Sequence, residues 1–494
     1  MLPRTLSRRE LLRVTGVTAA GTVLAACQPK VVEKIVKETV EVEKVVKETV
    51  MVEVEKEKEV TKIVEKVVAP TTPPKGEVSV SYMMGGGELS EDELAQFNGD
   101  NPGIKLSRLD PDQVRFFAML AAGNPPDCYR LQAPEFPQLL ARGIPLNLQP
   151  YFEVGETLKL DDLAPANDYY KASSPLDIGK GDIYGLCKDW SPDCTLWVNT
   201  TLFEKAEVEV PSDTNPISYD DVYALAQKMT KREGDRVLVW GFCNNGVGWI
   251  ERYWEVWLNA IDQSLFSSDM TKFNLADNEP AKQCVQYTMD MSRELITQSP
   301  ISPSPRGWPG PDFLAGQVAM MQYGFWYSGM VTGSAAAEGM EGDNKAIMVP
   351  APVWGGGKRI STTITATGSV VARATKNPDE AWKAFEWYNG KEPAITRAKG
   401  GWGVPALKSL YELIPGEGEL RGQVKAVLMR ELEHAGHVVR FSPFLKGGEP
   451  AAVGAAFSNY YERTLMGEFT FEQMIDNIQS EVDVALKEGI DRIL

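Results

Sequence analysis

The spacing of hydrophobic positions changes sharply along this chain, and the changes divide it. Residues 30–68 hold almost nothing but Val, Ile, Glu, Lys and Thr. A ten-residue unit occurs twice, as Val32-Glu33-Lys34-Ile35-Val36-Lys37-Glu38-Thr39-Val40 and Val42-Glu43-Lys44-Val45-Val46-Lys47-Glu48-Thr49-Val50. Within each copy the apolar residues sit at helical i, i+3, i+4 spacing. A ten-residue repeat, however, turns the apolar stripe by roughly 80° per copy on a 3.6-residue helix. That drift leaves no continuous seam, and β-branched Val weakens helix preference. Val52-Glu53-Val54-Glu55 alternates as a strand would. The segment reads as a charged spacer, with an oligomerising coil as the alternative. If wholly helical it would span roughly 55–60 Å at ~1.5 Å per residue. Ala69-Pro70-Thr71-Thr72-Pro73-Pro74 then breaks regular structure and marks a domain boundary.

Beyond that boundary short strand and helix patterns alternate. Glu77-Val78-Ser79-Val80-Ser81-Tyr82-Met83 alternates as a strand and ends at Gly85-Gly86-Gly87. Ser90 with Glu93 three residues on is a capping box and opens a helix. Asn101-Pro102-Gly103 turns the chain into the strand Ile104-Lys105-Leu106. Phe116 to Ala122 is helical, stopped by Gly123-Asn124-Pro125-Pro126, and Cys128-Tyr129-Arg130-Leu131 is the next strand. This alternation predicts an α/β domain on a parallel sheet. Binding sites in such sheets lie beyond the carboxyl ends of strands, here Met83 to Glu88 and Tyr129 to Gln132.

The N-terminus carries an address rather than a fold. Ser7-Arg8-Arg9-Glu10-Leu11-Leu12-Arg13 resembles a twin-arginine export signal. The apolar run Val14 to Ala26 is short of the ~20 residues a spanning helix needs. It closes on Leu24-Ala25-Ala26-Cys27, which resembles a bacterial lipoprotein signal. On this reading residues 1–26 are removed, and Cys27 becomes the lipid-bearing first residue. Residues 27–75 are then anchor and stalk, and the protein is held at the outer face of the cytoplasmic membrane. The competing reading is an N-terminal amphipathic helix.

Charge and cysteine content narrow the function classes. The chain has 51 Lys/Arg and 68 Asp/Glu, of which the first 75 residues hold 14 and 11, leaving 37 against 57 for the folded part, a net of −20. A surface this acidic argues against nucleic acid and anionic lipid as partners. An exported protein can form disulfides, and Cys187 with Cys194 is the expected pair, bracketing Lys188 to Asp193. Cys128, Cys243 and Cys284 remain. No Cys-x-x-Cys spacing suggests zinc or redox chemistry. His434 and His437 lack signature ligands nearby, so no metal is expected.

Several segments of residues 76–494 resemble, in order, those of the extracellular solute-binding proteins of ABC importers, in the sugar and oligosaccharide group (family 1 type). They are Phe97-Asn98 through Asn101-Pro102-Gly103-Ile104 and Leu120-Ala121-Ala122-Gly123-Asn124-Pro125-Pro126-Asp127. Next come Asp182-Ile183-Tyr184-Gly185-Leu186 with Leu196-Trp197-Val198-Asn199-Thr200-Thr201-Leu202-Phe203, then Gly316-Gln317-Val318-Ala319-Met320 leading to Gly324-Phe325-Trp326. Lys376-Asn377-Pro378-Asp379-Glu380-Ala381-Trp382 and Leu465-Met466-Gly467-Glu468-Phe469-Thr470-Phe471-Glu472 complete the set. The chain departs from the family at Cys128 and Cys187, and in a loop from Ile296 to Asp312 unusually rich in Pro and Gly.

The resemblance implies a two-lobed periplasmic-binding-protein-like fold (type II). Lobe 1 would take residues 76–190 with about 358–405, and lobe 2 residues 191–357 with about 406–494. Crossover strands are expected near 185–195, 355–360 and 403–410. It further implies a solute held between lobes that close on it, and an ABC permease as partner, with no cofactor and no catalysis. A sugar offers an apolar C–H face and a rim of hydroxyls, which aromatic rings and fixed polar groups cover respectively. Trp326 is the first candidate, followed by Trp190 with Asp189 in the crossover loop. Trp249 and Asn245 follow in the loop after a strand, and Trp402 at the last crossover. Tyr129, Arg130, Gln132 and Glu88 are strand-end candidates, whereas Trp240, Trp382 and Trp387 sit in periodic segments and are expected to pack. The alternatives are a binding lipoprotein for a polyamine, phosphate ester or peptide, a scaffold lipoprotein, and a secreted glycan-acting enzyme using a pair such as Asp189 and Asp193.

Overall fold

The computed structural model describes residues 77–493, apart from 235, 245–248, 334–338 and 449. The signal, Cys27, the Val/Glu/Lys stalk and Asn245 lie outside the described residues. The strands are β1 (Val78–Met83), β2 (Ile104–Leu109), β3 (Cys128–Leu131), β4 (Lys171–Ser174), β5 (Asp177–Ile183), β6 (Leu186–Cys187) and β7 (Asp189–Trp190), followed by β8 (Leu196–Asn199), β9 (Lys231–Glu233), β10 (Arg236–Cys243), β11 (Val318–Gln322), β12 (Ala346–Val349), β13 (Gly368–Val371) and β14 (Val404–Pro405).

They form two five-stranded sheets, ordered β2-β1-β3-β13-β6 and β12-β8-β11-β10-β9. The expected parallel pairing holds in the run β2-β1-β3 and between β10 and β11. β1 pairs with β2, Val78 opposite Ile104, and with β3, while β10 pairs with β11. It fails at β13 and β8, which run antiparallel to β3 and to β11 and β12. The physical reason is topological: these strands lie next to the crossings between the sheets and enter from the opposite end.

Local chemistry sets the helices that aim strand ends. Helix α1 (Glu91–Asp100) begins on the capping box, Ser90 accepting from Glu93 N and Glu93 reaching back to Ser90 N at 2.7 Å. Helix α2 (Gln113–Ala121) starts three residues before the predicted Phe116, because Asp112 caps it by accepting from Arg115 N at 2.8 Å. Trp382 and Trp387, on helix α3 (Pro378–Gly390), are buried beside the first sheet, and Trp240 is buried with its indole N–H on Ser302 Oγ. Helix α4 (Glu419–Glu431) packs on β12, with Gln423 bonded to Met348 N and O. Among the described residues no helix is long and apolar enough to cross a membrane.

The chain crosses between the sheets at Lys188–Thr195 and Ser361–Thr367. It crosses a third time after Leu413, later than the expected 403–410, because Ser409 N still donates to Asp162 Oδ1 at 2.7 Å on the first side while α4 packs on β12. The second crossing lies a little beyond the expected 355–360, because Lys358 N–H still donates to Ala260 O at 2.8 Å. In the gap β7 and β14 pair antiparallel, Trp190 opposite Val404. Asp193 ties the first crossing to the second by accepting from Thr363 Oγ1 (2.9 Å), Ile364 N (2.8 Å) and Thr365 Oγ1 (3.3 Å). Tyr169 O–H and Tyr170 O–H donate to Thr363 O and Ala366 O at 2.8 and 2.6 Å.

Candidate ligand cleft

At the carboxyl ends of β1 and β3 the first sheet presents charge. Glu88 pairs with Arg130 Nε at 3.1 Å and with Lys188 Nζ at 3.2 Å, and Lys188 also pairs with Asp189. Lys188 is only 5 % exposed. Burial alone would raise the Glu88 pKa, but Lys188 and Arg130 outweigh it and hold this carboxyl below its ordinary value. Burial likewise works against the Lys188 cation, yet Asp189 foremost, with Tyr388 and Glu88, raises its pKa.

The second sheet presents rings. After β11 the chain turns at Gly324, whose φ is +67°. A Cβ there would fall 2.5 Å from Ser191 Oγ and 2.7 Å from Asp193 Cα, so only glycine lets β11 meet the first crossing so closely. That contact aims Trp326, whose N–H donates to Ser191 Oγ at 3.2 Å. Trp326 lies 5.1 Å from Tyr323 and 6.2 Å from Trp402 between ring centres. Gly403, beside Trp402, would place a Cβ 3.1 Å from Asp189 Cβ, so charge and rings meet at the crossings.

A third element joins the two sides. Arg252, one turn beyond Trp249, lays its guanidinium 4.1 Å from that indole ring. It donates to Gln132 Oε1 at 3.1 Å and to Ile364 O at 3.4 Å. Gln132 follows β3 of the first sheet, so this bond spans the cleft.

A model of the family described as bacterial extracellular solute-binding protein matches residues 84–395. The chain belongs to that family. Among solved structures it is similar to an ABC substrate-binding protein from Listeria monocytogenes in complex with cycloalternan, with 19% identity, a TM-score of 0.65, and coverage of 84% of this chain and 99% of the other. It is also similar to an ABC transporter solute-binding protein from Agrobacterium vitis with bound D-mannitol (17%, TM-score 0.63, 84% and 99%). A third, from Thermotoga lettingae with alpha-D-tagatose, gives 17%, 0.63, 83% and 100%. At these identities the likeness establishes the fold: two lobes, each a sheet with helices. No curated protein matches the chain significantly.

Of the sequence-predicted residues, Glu88, Arg130, Gln132, Asp189 and Trp402 stand on the side of the first sheet, and Trp249 and Trp326 on the side of the second. Two sequence-predicted residues fall elsewhere. Trp190 is 2 % exposed and donates its indole N–H to Pro405 O at 3.2 Å, so it packs the crossing instead of forming an open platform. Tyr129 is buried and stacked on Phe116 at 3.7 Å. The expected Cys187–Cys194 disulfide is corrected: all five described cysteines are free and buried. The run between the two residues leads from the first sheet through β7 to a turn at Asp193–Cys194 before the second. Cys187 Sγ bonds Asp189 O, whereas Cys194 lies just before β8, its carbonyl accepting from Gln322 Nε2 of β11. Burial raises both thiol pKa values well above ordinary.

Lys188 and Arg252 were not anticipated. The available signals were a lone cation beside Asp189 and an arginine three residues after Trp249, one helical turn away. A cavity of about 590 Å³ opens away from these groups, between Gln138 and Arg142 on one side and Lys446, Glu481 and Arg492 on the other. It touches none of the predicted residues. Among the described residues no group of His, Cys, Asp and Glu is gathered as a metal site; His437 Nε2 is 2.7 Å from Asn259 Oδ1.

Proposed function

We propose that this family member captures a sugar or oligosaccharide between its lobes and delivers it unaltered to the membrane subunits of an ABC importer. One observation carries the reading: half-buried indoles, Trp326 and Trp402, stand at the crossings beside a fixed set of charged hydrogen-bonding groups. Rings suit the apolar face of a pyranose, while ionised partners give hydroxyls a defined orientation. The solved relatives bound to cycloalternan, D-mannitol and alpha-D-tagatose support the same class. Ligand touching both lobes favours the closed form by its differential affinity, and the permease reads that form.

A polyamine fits less well, because Glu88 and Asp189 are already neutralised by Lys188 and Arg130. Glycan hydrolysis fits less well too: Asp193 is buried and bonded to the second crossing, so it does not face Asp189 across open space. A thermal-shift panel of mono-, di- and oligosaccharides, polyols and polyamines tests the reading, since a ligand selective for the folded state raises the melting temperature. Stabilisation by polyamines alone would defeat it.

The lipid on Cys27, after twin-arginine export, is part of the same proposal. Cys27→Ala is expected to move the protein from the membrane to the soluble fraction. Unchanged fractionation would remove the anchor.

A further inference from the structure

Among the described residues, the aromatic wall does not stop at Trp326. Tyr323 stacks on Trp308 with ring centres 5.8 Å apart and planes 16° apart. Trp308, Tyr323, Trp326 and Trp402 thus contact one another in steps of 5.8, 5.1 and 6.2 Å. Tyr323 is 1 % exposed and backs its neighbours, so the open faces belong to Trp308, Trp326 and Trp402. Trp308 stays 37 % exposed. The rest of the ring is covered by Tyr323, Tyr327 and Gly310, so one fixed edge of an aromatic ring is left open to a ligand.

The loop holding it is built, not slack. Asp312, fully buried, accepts from Gln298 Nε2 at 2.6 Å and from Ser304 Oγ at 2.5 Å, and Ser304 Oγ also donates to Trp308 O at 3.1 Å. Arg306 clamps the loop through Pro311 O and Glu341 Oε1, both at 2.9 Å. Gly310 makes room for the ring: a Cβ there would come within 2.3 Å of the indole. Tyr327 O–H holds that glycine by its carbonyl at 2.7 Å. This is the Pro- and Gly-rich stretch where the chain departs from its family's pattern.

We infer that Trp308 is a specificity-determining residue that extends the cleft outward, so that the preferred ligand is an oligosaccharide and not a single sugar. The inference rests on the sugar reading above. Trp402 and Trp326 offer apolar faces to the inner units, and Trp308, set outward on the buried Tyr323, serves the outermost.

The test is titration calorimetry of the full chain with the 1,4-linked glucose and mannose series from one to six units, beside the panel of polyols. Wild-type affinity is expected to rise beyond the disaccharide. Trp308→Ala is expected to lower affinity for the longest member by about tenfold and leave the monosaccharide within about twofold. Trp308→Phe, which keeps an aromatic face on the same loop, is expected to retain most of the gain. Equal loss at every length in Trp308→Ala, or wild-type affinity independent of length, overturns the inference alone. Binding of polyols with no response to either series also overturns it and leaves the small-sugar reading standing. No response to any sugar or polyol overturns both.

Discussion

On the side of the first sheet stand Glu88, Arg130, Lys188 and Asp189, linked in a chain of ion pairs; on the side of the second stand Trp326 and Trp308, joined through the buried ring of Tyr323. The two linings meet at the crossings but rest on different physics. Ionic groups lose strength when a partner is missing and gain geometry when it is present. Rings tolerate many partners and contribute in proportion to area covered. A site divided this way separates orientation from adhesion. One side decides how a hydroxylated ligand sits, and the other decides how tightly and how much of it is held.

Removing a charge should therefore injure the protein more than removing a ring. Lys188→Met leaves Glu88 and Asp189 without their shared, almost fully buried cation. The expected loss in urea unfolding is about 3–5 kcal/mol. Adding Glu88→Gln should restore part of it, and a single variant as stable as wild type would mean that the cluster is not a closed ionic unit.

Next in size is a contrast between two carboxyls. Glu88 is held below its ordinary pKa, so its contribution is present at neutral pH and fades as pH falls through the acid range. Asp193 is the reverse: burial pushes it up to about 6 despite its hydrogen bonds. Its folded form binds the proton more tightly than the unfolded chain, so its term weakens the fold as pH rises from about 4 to 6. In Asp193→Asn that pH-linked loss, roughly 2–3 kcal/mol, should vanish from unfolding curves taken between pH 4 and 7. An unchanged slope would show that Asp193 titrates normally.

Much of this architecture could be read from the residues. Strand ends, the capping box at Ser90 and the Gly324-Phe325-Trp326 turn led to the cleft, because each is a local pattern with a local cause. What escaped was long-range. Lys188 is important for its neighbours at Glu88, a hundred residues away in the chain, and nothing in its immediate sequence records them. Trp190 resembles a loop-tip residue until the two-residue strands β7 and β14 pair over it, too short for any periodicity to show. The cysteine pair failed for a similar reason: spacing suggested a closed loop, but the run carries the chain from the first sheet to the second, with one cysteine at each end.

Trp326→Ala probes the adhesive side alone. Its ring is half-buried among other rings, so the fold should survive while ligand affinity falls by roughly 1–3 kcal/mol in calorimetry. Unaltered affinity would take Trp326 out of the site.

The mildest test addresses the joint between the two sides. Gln132 Oε1 accepts from Arg252 Nη1 at 3.1 Å, a bond that exists only while the lobes are together. Gln132→Ala removes it without stranding the cation, since Arg252 also donates to Ile364 O and lies over Trp249. The lost term, about 0.5–1.5 kcal/mol, acts on the closed state only. Affinity should fall by that amount while melting of the unliganded protein barely moves, because the open form keeps every other contact. Small-angle scattering without ligand should then match wild type, while more ligand is needed to compact the variant. If affinity and the ligand dependence of scattering both match wild type, the Gln132–Arg252 bond does not stabilise the closed form, and closure must rest on the ligand and the crossings.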